Sequence, residues 1–469
     1  MKSKLFLLLP DGIGLRNFAF TRFPEIGKQM GFDTVFWNQT DFPVRDALGF
    51  EELKITDAKL HPLTTVFSRA RKRIELKLWE NQFQDTIYQT YNFPQSYRGF
   101  KNAFKSLLVD YLTATKTHPK GLEKVIRQIK KYERNTTKYT LCKQQLEAHR
   151  PAFVFCTNQR PTQAVAPILA AQDLGIPTAT FIFSWDNLPK ATMVLDTDFY
   201  FVWSDYMKTE LQRYYPRIKD TQILVTGTPQ FEPHFDETLI ESRAAFCEKH
   251  GLDPAKKYIC FSGDDVTTSP DDPQYLEDTA KAVRELNGSG QHLGLIFRPC
   301  PVDFSGRYDA VVEQYADIIK PIAPAWKPLG EAWNQAFPTR EDMALLANTA
   351  RHSELVLNLG SSMVFDFAVH QKPCGYFCYN QANRSNKHWS IYKCYQYVHF
   401  RSMPTKETVL WINQPSEIGQ IIKQAISLPK TTVGETENWF KVINLHPPEK
   451  SSERIWEVIL KITSCTSDS

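Results

Sequence analysis

The chain has 469 residues, 42% of them hydrophobic and 23% charged, and a net charge of +4. That make-up excludes disordered and collagen-like chains and leaves room for two ordinary domains with full cores. No apolar run is long enough to span a bilayer, which excludes a transmembrane helix as an organising feature.

The charge is uneven. Residues 66–150 hold 18 Lys and Arg against 7 Asp and Glu, a local +11, so the rest of the chain carries −7. The nine cysteines are an odd number. They show no C-x-x-C pair, and Cys374 and Cys378 have no His or Cys partner at zinc spacing. Free thiols in a reducing cytoplasm, with no structural metal, are the expectation.

Taken in order, Leu5-Phe6-Leu7-Leu8-Leu9 follows Lys2 and Lys4 like a short secretory leader. Pro10-Asp11-Gly12 ends the run too early, and no small-residue cleavage site follows, so it reads as a buried strand. A glycine loop through Gly12 and Gly14, a helix over about 17–30 and a strand over 34–37 complete a βαβ start. Asp11-Gly-Ile-Gly is not a full G-x-G-x-x-G fingerprint. Residues 46–150 then interrupt the alternation with a helical, basic insertion. Within it Arg69, Arg71, Lys72 and Arg73, beside Ile74, Leu76, Leu78 and Trp79, read as a basic amphipathic helix. Such a helix suits an anionic membrane surface, or is simply a solvated face. No nucleic-acid motif accompanies the charge, so nucleic acid is not an expected partner.

Strands are expected again at 153–156, 178–183, 199–203 and 222–225. The polar tips Thr157 to Thr162 and Ser184 to Leu188 lie at strand carboxyl ends, where open α/β sheets bind ligands. Asp196-Thr197-Asp198 precedes its strand and reads as a turn rather than a metal-binding D-x-D. Residues 233–236 read as a linker. The second half opens with a helix over 239–250. Strands at 258–261 and 293–297 end at Ser262-Gly263-Asp264-Asp265 and at Arg298. A strand over 355–359 meets Gly360, then Ser361 and Ser362 at a helix start, with Asp366 one turn on. A nucleotide diphosphate at the serines and ribose hydroxyls at Asp366 would suit this run; so would an ordinary capped helix. Helices over 417–428 and 453–462 follow, and 463–469 read as a disordered tail.

The run Gly360, Ser361, Ser362, Asp366, Lys372, Pro373 resembles the second half of GT-B glycosyltransferases. It is most similar to the CDP-glycerol glycerophosphotransferase and UDP-N-acetylglucosamine 2-epimerase branches, which carry a Ser-Ser or Ser-Thr pair, an acidic residue on the next turn, then Lys-Pro. The blocks Ser184-Trp-Asp-Asn, Val202-Trp-Ser and Gly227-Thr-Pro-Gln-Phe are similar to bacterial glycosyltransferase-like proteins of surface-carbohydrate synthesis. Together the resemblance covers most of the chain outside the insertion.

It implies two facing doubly wound, Rossmann-like domains, roughly 1–235 and 236–445, with a last helix over 446–462 returning to the first. It implies metal-independent sugar transfer from a nucleotide-activated donor to a surface-polysaccharide or lipid-linked acceptor. Gly12, Gly14, Gly263, Arg298, Gly360, Ser361, Ser362 and Asp366 are the expected donor-binding residues. Asn158, Arg160, Trp185 and Asn187 are expected on the acceptor side, and Asp11 and Asp186 as candidate bases. Cys300 stands where the glycerophosphotransferases carry a His, so no acid–base role is placed there. No cofactor beyond the donor is expected. The expected location is cytoplasmic, peripheral at the membrane's inner face through the basic insertion. A glycerol-phosphate transferase, a nucleotide-sugar epimerase and a non-catalytic scaffold remain as alternatives.

Overall fold

Leu5 to Leu9 are fully buried, and they form the end of strand β1 (Ser3–Leu9) at the middle of a parallel sheet. The computed structural model describes residues 3–56, 59–328 and 336–467. Two units separate: Met1–Pro229 with Leu445–Ser469, and Gln230–Asn444. The division thus falls after Pro229, within a 3-10 turn spanning Pro229–Phe235, rather than at 235.

In the first unit β1 pairs with β2 (Phe32–Asn38) and β4 (Phe153–Cys156). With β3 (Glu52–Lys54), β5 (Thr178–Phe181), β6 (Phe199–Val202) and β7 (Ile223–Val225) the order is β3-β2-β1-β4-β5-β6-β7, all parallel. Strands of such a sheet are covered on both faces and so read as unbroken apolar runs. On one face Phe18, Phe23, Phe155, Phe181 and Phe201 stack edge to face, closed by Trp456 of the Ser451–Ser467 helix, whose Nε1 donates to the Phe23 carbonyl at 2.7 Å.

The other face is covered by helices of the basic insertion together with the Val165–Asp173 helix. Ile74 of the Thr64–Phe83 helix, Val125 and Ile129 of Pro119–Arg134, and Cys142 and Leu146 of Thr137–His149 all pack on the sheet residues Phe6, Leu8, Val154 and Cys156. The basic helix is therefore part of the core, which corrects its reading as a membrane-facing element. Arg71 is buried against Glu75 at 3.1 Å, Arg73 pairs with Asp110 at 2.5 Å, and Leu76 and Trp79 are buried.

The second unit repeats the plan. Its sheet runs β10 (Ile319–Pro321), β9 (Leu293–Arg298), β8 (Lys257–Ser262), β13 (Ser353–Asn358), β14 (Cys374–Phe377), β15 (Leu410–Ile412), again all parallel. A small antiparallel ribbon joins β11 (Lys327–Pro328) to β12 (Ala336–Phe337). Tyr275, Leu276, Val283 and Leu286 of the Asp272–Gly288 helix and Ile418 and Ile422 of Ile418–Ser427 cover one face.

Three local expectations change. The helix expected over 17–30 is two pieces, Leu15–Ala19 and Phe23–Gln29, because Pro24 cannot donate within a continuous helix. The helix expected over 239–250 begins at Arg243, where the Ser242 hydroxyl caps Ala245 N at 3.2 Å. The tail expected to be disordered from 463 is helical through Ser467, with Thr463 donating to the Ile459 carbonyl; residues 468–469 lie outside the described residues.

Candidate functional site

In a doubly wound sheet the chain leaves the strands in opposite directions at one point, and the crevice opened there is where ligands bind. The first unit has that point between β1 and β4, the second between β8 and β13.

At the first, Asp11 follows β1 and Asn158 follows β4. The Asn158 Nδ2 donates to Asp11 Oδ2 at 2.6 Å, Ile13 N donates to Asp11 Oδ1 at 3.2 Å, and Arg160 N donates to Asn158 Oδ1 at 3.0 Å. Burial pushes the Asp11 carboxyl up to about 6, against those two donors and the Arg160 charge. Gly14 lets these loops touch: a Cβ there would lie 2.3 Å from Thr157 Oγ1. Arg160 is exposed, and its guanidinium carbon lies 5.3 Å from the Phe183 ring centroid.

Asp186, the other expected base, is heavily engaged. It accepts from Ser184 Oγ at 2.5 Å and Asn187 Nδ2 at 2.7 Å, and Lys190 is bonded to its second oxygen. That geometry favours a structural anchor over a base. Trp185 and Asn187, expected on the acceptor side, are both buried. Two groups not singled out in the sequence for this site belong with these loops. Lys72 reaches in from the insertion, its Nζ 4.7 Å from the Phe93 ring; burial and the charges of Arg160 and Lys190 push it down to about 8. Glu210 is buried on the Asp205–Tyr214 helix with Oε2 lacking a hydrogen-bond partner, and burial, with the Asp186 charge adding against Arg213, pushes it up to about 8. The Asp196 and Asp198 turn is spent on protein partners: Asp196 on Lys130 and Arg217, Asp198 on Thr178.

At the second point, three adjacent strands deliver Gly263, Arg298 and Gly360 at their carboxyl ends. Gly263 N donates to the Arg298 carbonyl at 2.9 Å. Asp264, next in the chain, is pushed well up by burial and by the neighbouring charges of Asp272 and Asp265, and its Oδ2 has no hydrogen-bond partner. Arg298 is 6% exposed; Nη2 donates to Asp342 Oδ1 at 2.8 Å, and Nη1 is buried without a partner. Gly360 has φ 68°, and a Cβ on it would lie 2.8 Å from the Phe400 ring. Asn358 Oδ1 accepts from Ser361 N at 2.8 Å. The helix starts at Met363, one residue later than expected. Ser362 occupies the cap position but its hydroxyl makes no capping bond; Ser361 Oγ accepts from Met363 N at 3.4 Å instead.

Asp366 was expected to meet ribose hydroxyls. Its side chain is 5% exposed, and Oδ1 lies 2.9 Å from His234 Nε2. His234 Nδ1 in turn lies 2.9 Å from His370 Nε2. Burial, reinforced by His234, pushes His370 down to about 3. A neutral His370 donating to His234, which donates to Asp366, gives every nitrogen in the line a complementary partner. Asp366 is therefore the end of a buried relay, and the two histidines were missed because only the fold brings them to it.

No family model and no curated protein sequence matches the chain. Solved structures do. An S. aureus MnaA–UDP co-structure matches with 13% identity over 97% of this chain and 95% of that one, TM-score 0.51. A UDP-GlcNAc 2-epimerase from Methanocaldococcus jannaschii matches with 14% identity, 98% and 100% coverage and TM-score 0.52. A glycosyltransferase from Rickettsia africae matches with 10% identity, 98% and 99% coverage and TM-score 0.51. Two Rossmann-like units with parallel sheets, matched from end to end by these structures, are the GT-B fold.

Proposed function

We propose that this chain is a nucleotide-sugar-dependent glycosyltransferase that delivers its sugar to an anionic acceptor, either a surface polysaccharide or a lipid-linked intermediate. The observation that carries the donor half is Arg298: a buried guanidinium with one N–H spent on Asp342 and Nη1 unspent, at the switch point of the second sheet. A diphosphate supplies the missing acceptor. Gly360 and the Ser361 and Ser362 hydroxyls stand at the end of the neighbouring strand, the hydroxyls adding neutral donors. Asp264, whose carboxyl burial pushes well up, follows Gly263 at the end of the adjoining strand. The UDP held by the S. aureus structure supports a uridine nucleotide.

The first unit supplies the acceptor side in this reading. Lys72 feels the charges of Arg160 and Lys190; Lys190 is bonded to Asp186 and the Arg160 charge acts on Asp11, while no ion pair of Lys72 with a carboxylate is formed among the described residues. An acceptor bearing phosphate or carboxylate relieves that repulsion. Within the first unit Asp11, ionised above about pH 6, is the candidate base for an acceptor hydroxyl; within the second, the unspent N–H of Arg298 is the donor aimed at a diphosphate.

Thermal-shift and calorimetric titration with UDP, CDP, GDP and dTDP test the donor half. UDP should raise the apparent stability, and Arg298→Ala should weaken binding by about 1.5–3 kcal/mol, the scale of a charged hydrogen bond. Indifference to all four nucleotides would leave a scaffold without chemistry. The epimerase named among the matched structures supports a second reading, in which no acceptor is needed. Its mark is an isomerised nucleotide sugar, or free sugar, formed from the donor alone.

A further inference from the structure

The insertion carries one surface that neither its sheet-covering role nor the transferase reading uses. Phe93 is 84% exposed, Tyr97 53%, Phe100 88%, Phe104 61%, Leu107 61% and Tyr111 63%. The last four fall on the Phe100–Lys116 helix at spacings of four, three and four, which places them on one stripe about 16 Å long. The opposite face of that helix is anchored: Val109 and Leu112 pack on Val66 and Ala70 of the Thr64–Phe83 helix, and Ser106 donates to the Ser96 carbonyl. The stripe is thus held outward by a packed face. Leaving this much aromatic surface in water is costly, and monomeric proteins rarely keep such a contiguous patch without a partner.

The charge around it selects the partner. Arg98, Lys101, Lys105 and Lys120 are exposed on and beside the stripe, and Lys116 is half-buried. The one acid from Phe93 to Lys120 is Asp110, and it is consumed by Arg73 and by the Tyr97 hydroxyl, each at 2.5 Å. Two copies of so basic a face repel, which disfavours self-association. Aromatic and aliphatic side chains between uncompensated lysines are the make-up of a helix lying in an anionic membrane interface. At one end the patch runs into the acceptor loops, since Phe93 carries Lys72 on its ring.

We infer that the exposed face of the Phe100–Lys116 helix, with Phe93 and Tyr97, docks this protein on an anionic lipid surface. The docking site is this aromatic stripe and not the arginine-rich helix beneath it. The inference stands whatever reaction the protein performs.

The test is flotation of the full chain with vesicles of phosphatidylcholine containing about 30 mol % phosphatidylglycerol, against pure phosphatidylcholine, in low salt and in about 0.5 M NaCl. Wild type should float with the anionic vesicles, at least tenfold less with neutral ones, and detach partly in salt. The triple variant Phe100→Ser/Phe104→Ser/Leu107→Ser, changed only at exposed positions, should lose at least tenfold in binding while keeping the wild-type circular dichroism and any nucleotide-induced thermal shift. Lys101→Glu/Lys105→Glu should weaken binding to anionic vesicles only, and Arg69→Glu should leave it unchanged. Wild type that ignores anionic vesicles at low salt, or a triple variant that binds like wild type, overturns the inference. So does a sedimenting dimer that the triple variant abolishes without any vesicle binding in wild type, which assigns the face to a second copy.

Discussion

At Asp11 two effects oppose each other. Removal from water favours the protonated carboxyl, while Asn158 Nδ2 and Ile13 N favour the carboxylate, and the balance rests at about 6. If Asp11 is the base, sugar transfer falls as pH drops through about 6. Asn158→Ala removes a donor to the ionised form, so the acid limb of the pH–rate profile should move to higher pH, with little change on the alkaline side. A limb that stays in place would detach Asp11 from the rate. Glu210 makes a stability statement of the same kind. Its folded value is raised to about 8 by burial, so between the ordinary glutamate range and pH 8 the folded state holds a proton that the unfolded state has lost. Stability contributed by this group therefore declines as pH rises through that window, with a slope of at most about 1.4 kcal/mol per pH unit. Glu210→Gln keeps the neutral shape and should flatten that slope, so that its advantage over wild type in denaturant melts is larger at pH 8 than at pH 5.

The turn from β13 into the Met363–Val369 helix shows how elements position chemistry. Gly360 at φ 68° redirects the chain, and Phe400 leaves no space for a Cβ. Gly360→Ala should cost about 1–2 kcal/mol from the left-handed backbone alone, and should weaken nucleotide binding by displacing Ser361. The helix then carries Asp366 inward to His234. His234→Ala leaves a buried carboxylate without its imidazole, and chemical denaturation should show a loss of about 3 kcal/mol. His370 adds a pH dependence of the opposite sense to Glu210. Its folded value is depressed to about 3, so the stability it contributes is complete above the ordinary histidine range and declines as pH falls from there towards 3.

On the scale of the whole chain, two sheets of one design carry different loads. The second unit holds Arg298, Gly360 and the His234–Asp366 relay; the first holds Asp11, Asn158 and the cationic loop residues. A ligand that binds only folded protein stabilises by mass action, about 2.7 kcal/mol at a hundredfold excess over its Kd. In scanning calorimetry the transition that His234→Ala lowers should therefore be the one that UDP raises. A nucleotide that shifts a transition insensitive to His234→Ala would move the donor site out of the second unit. No helix among the described residues is long and apolar enough to cross a membrane.

Some of this was legible in one dimension. Buried parallel strands are unbroken apolar runs, and a glycine or a polar tip marks where each one ends. The strand series and the residues at the carboxyl ends, from Asp11 and Asn158 to Arg298 and Gly360, could therefore be read locally. What a side chain does there could not be read, because its partner is chosen by the fold. Asp366 meets His234 across 132 residues of sequence, and Arg298 meets Asp342 across 44. The same holds for the basic insertion. Its charge count suggested a surface, yet Arg71 and Trp79 are buried, because those helices pack, together with the Val165–Asp173 helix, over one face of the first sheet. Periodicity shows that a helix has an apolar side; only packing decides which helix keeps that side dry and which, like Phe100–Lys116, leaves one exposed.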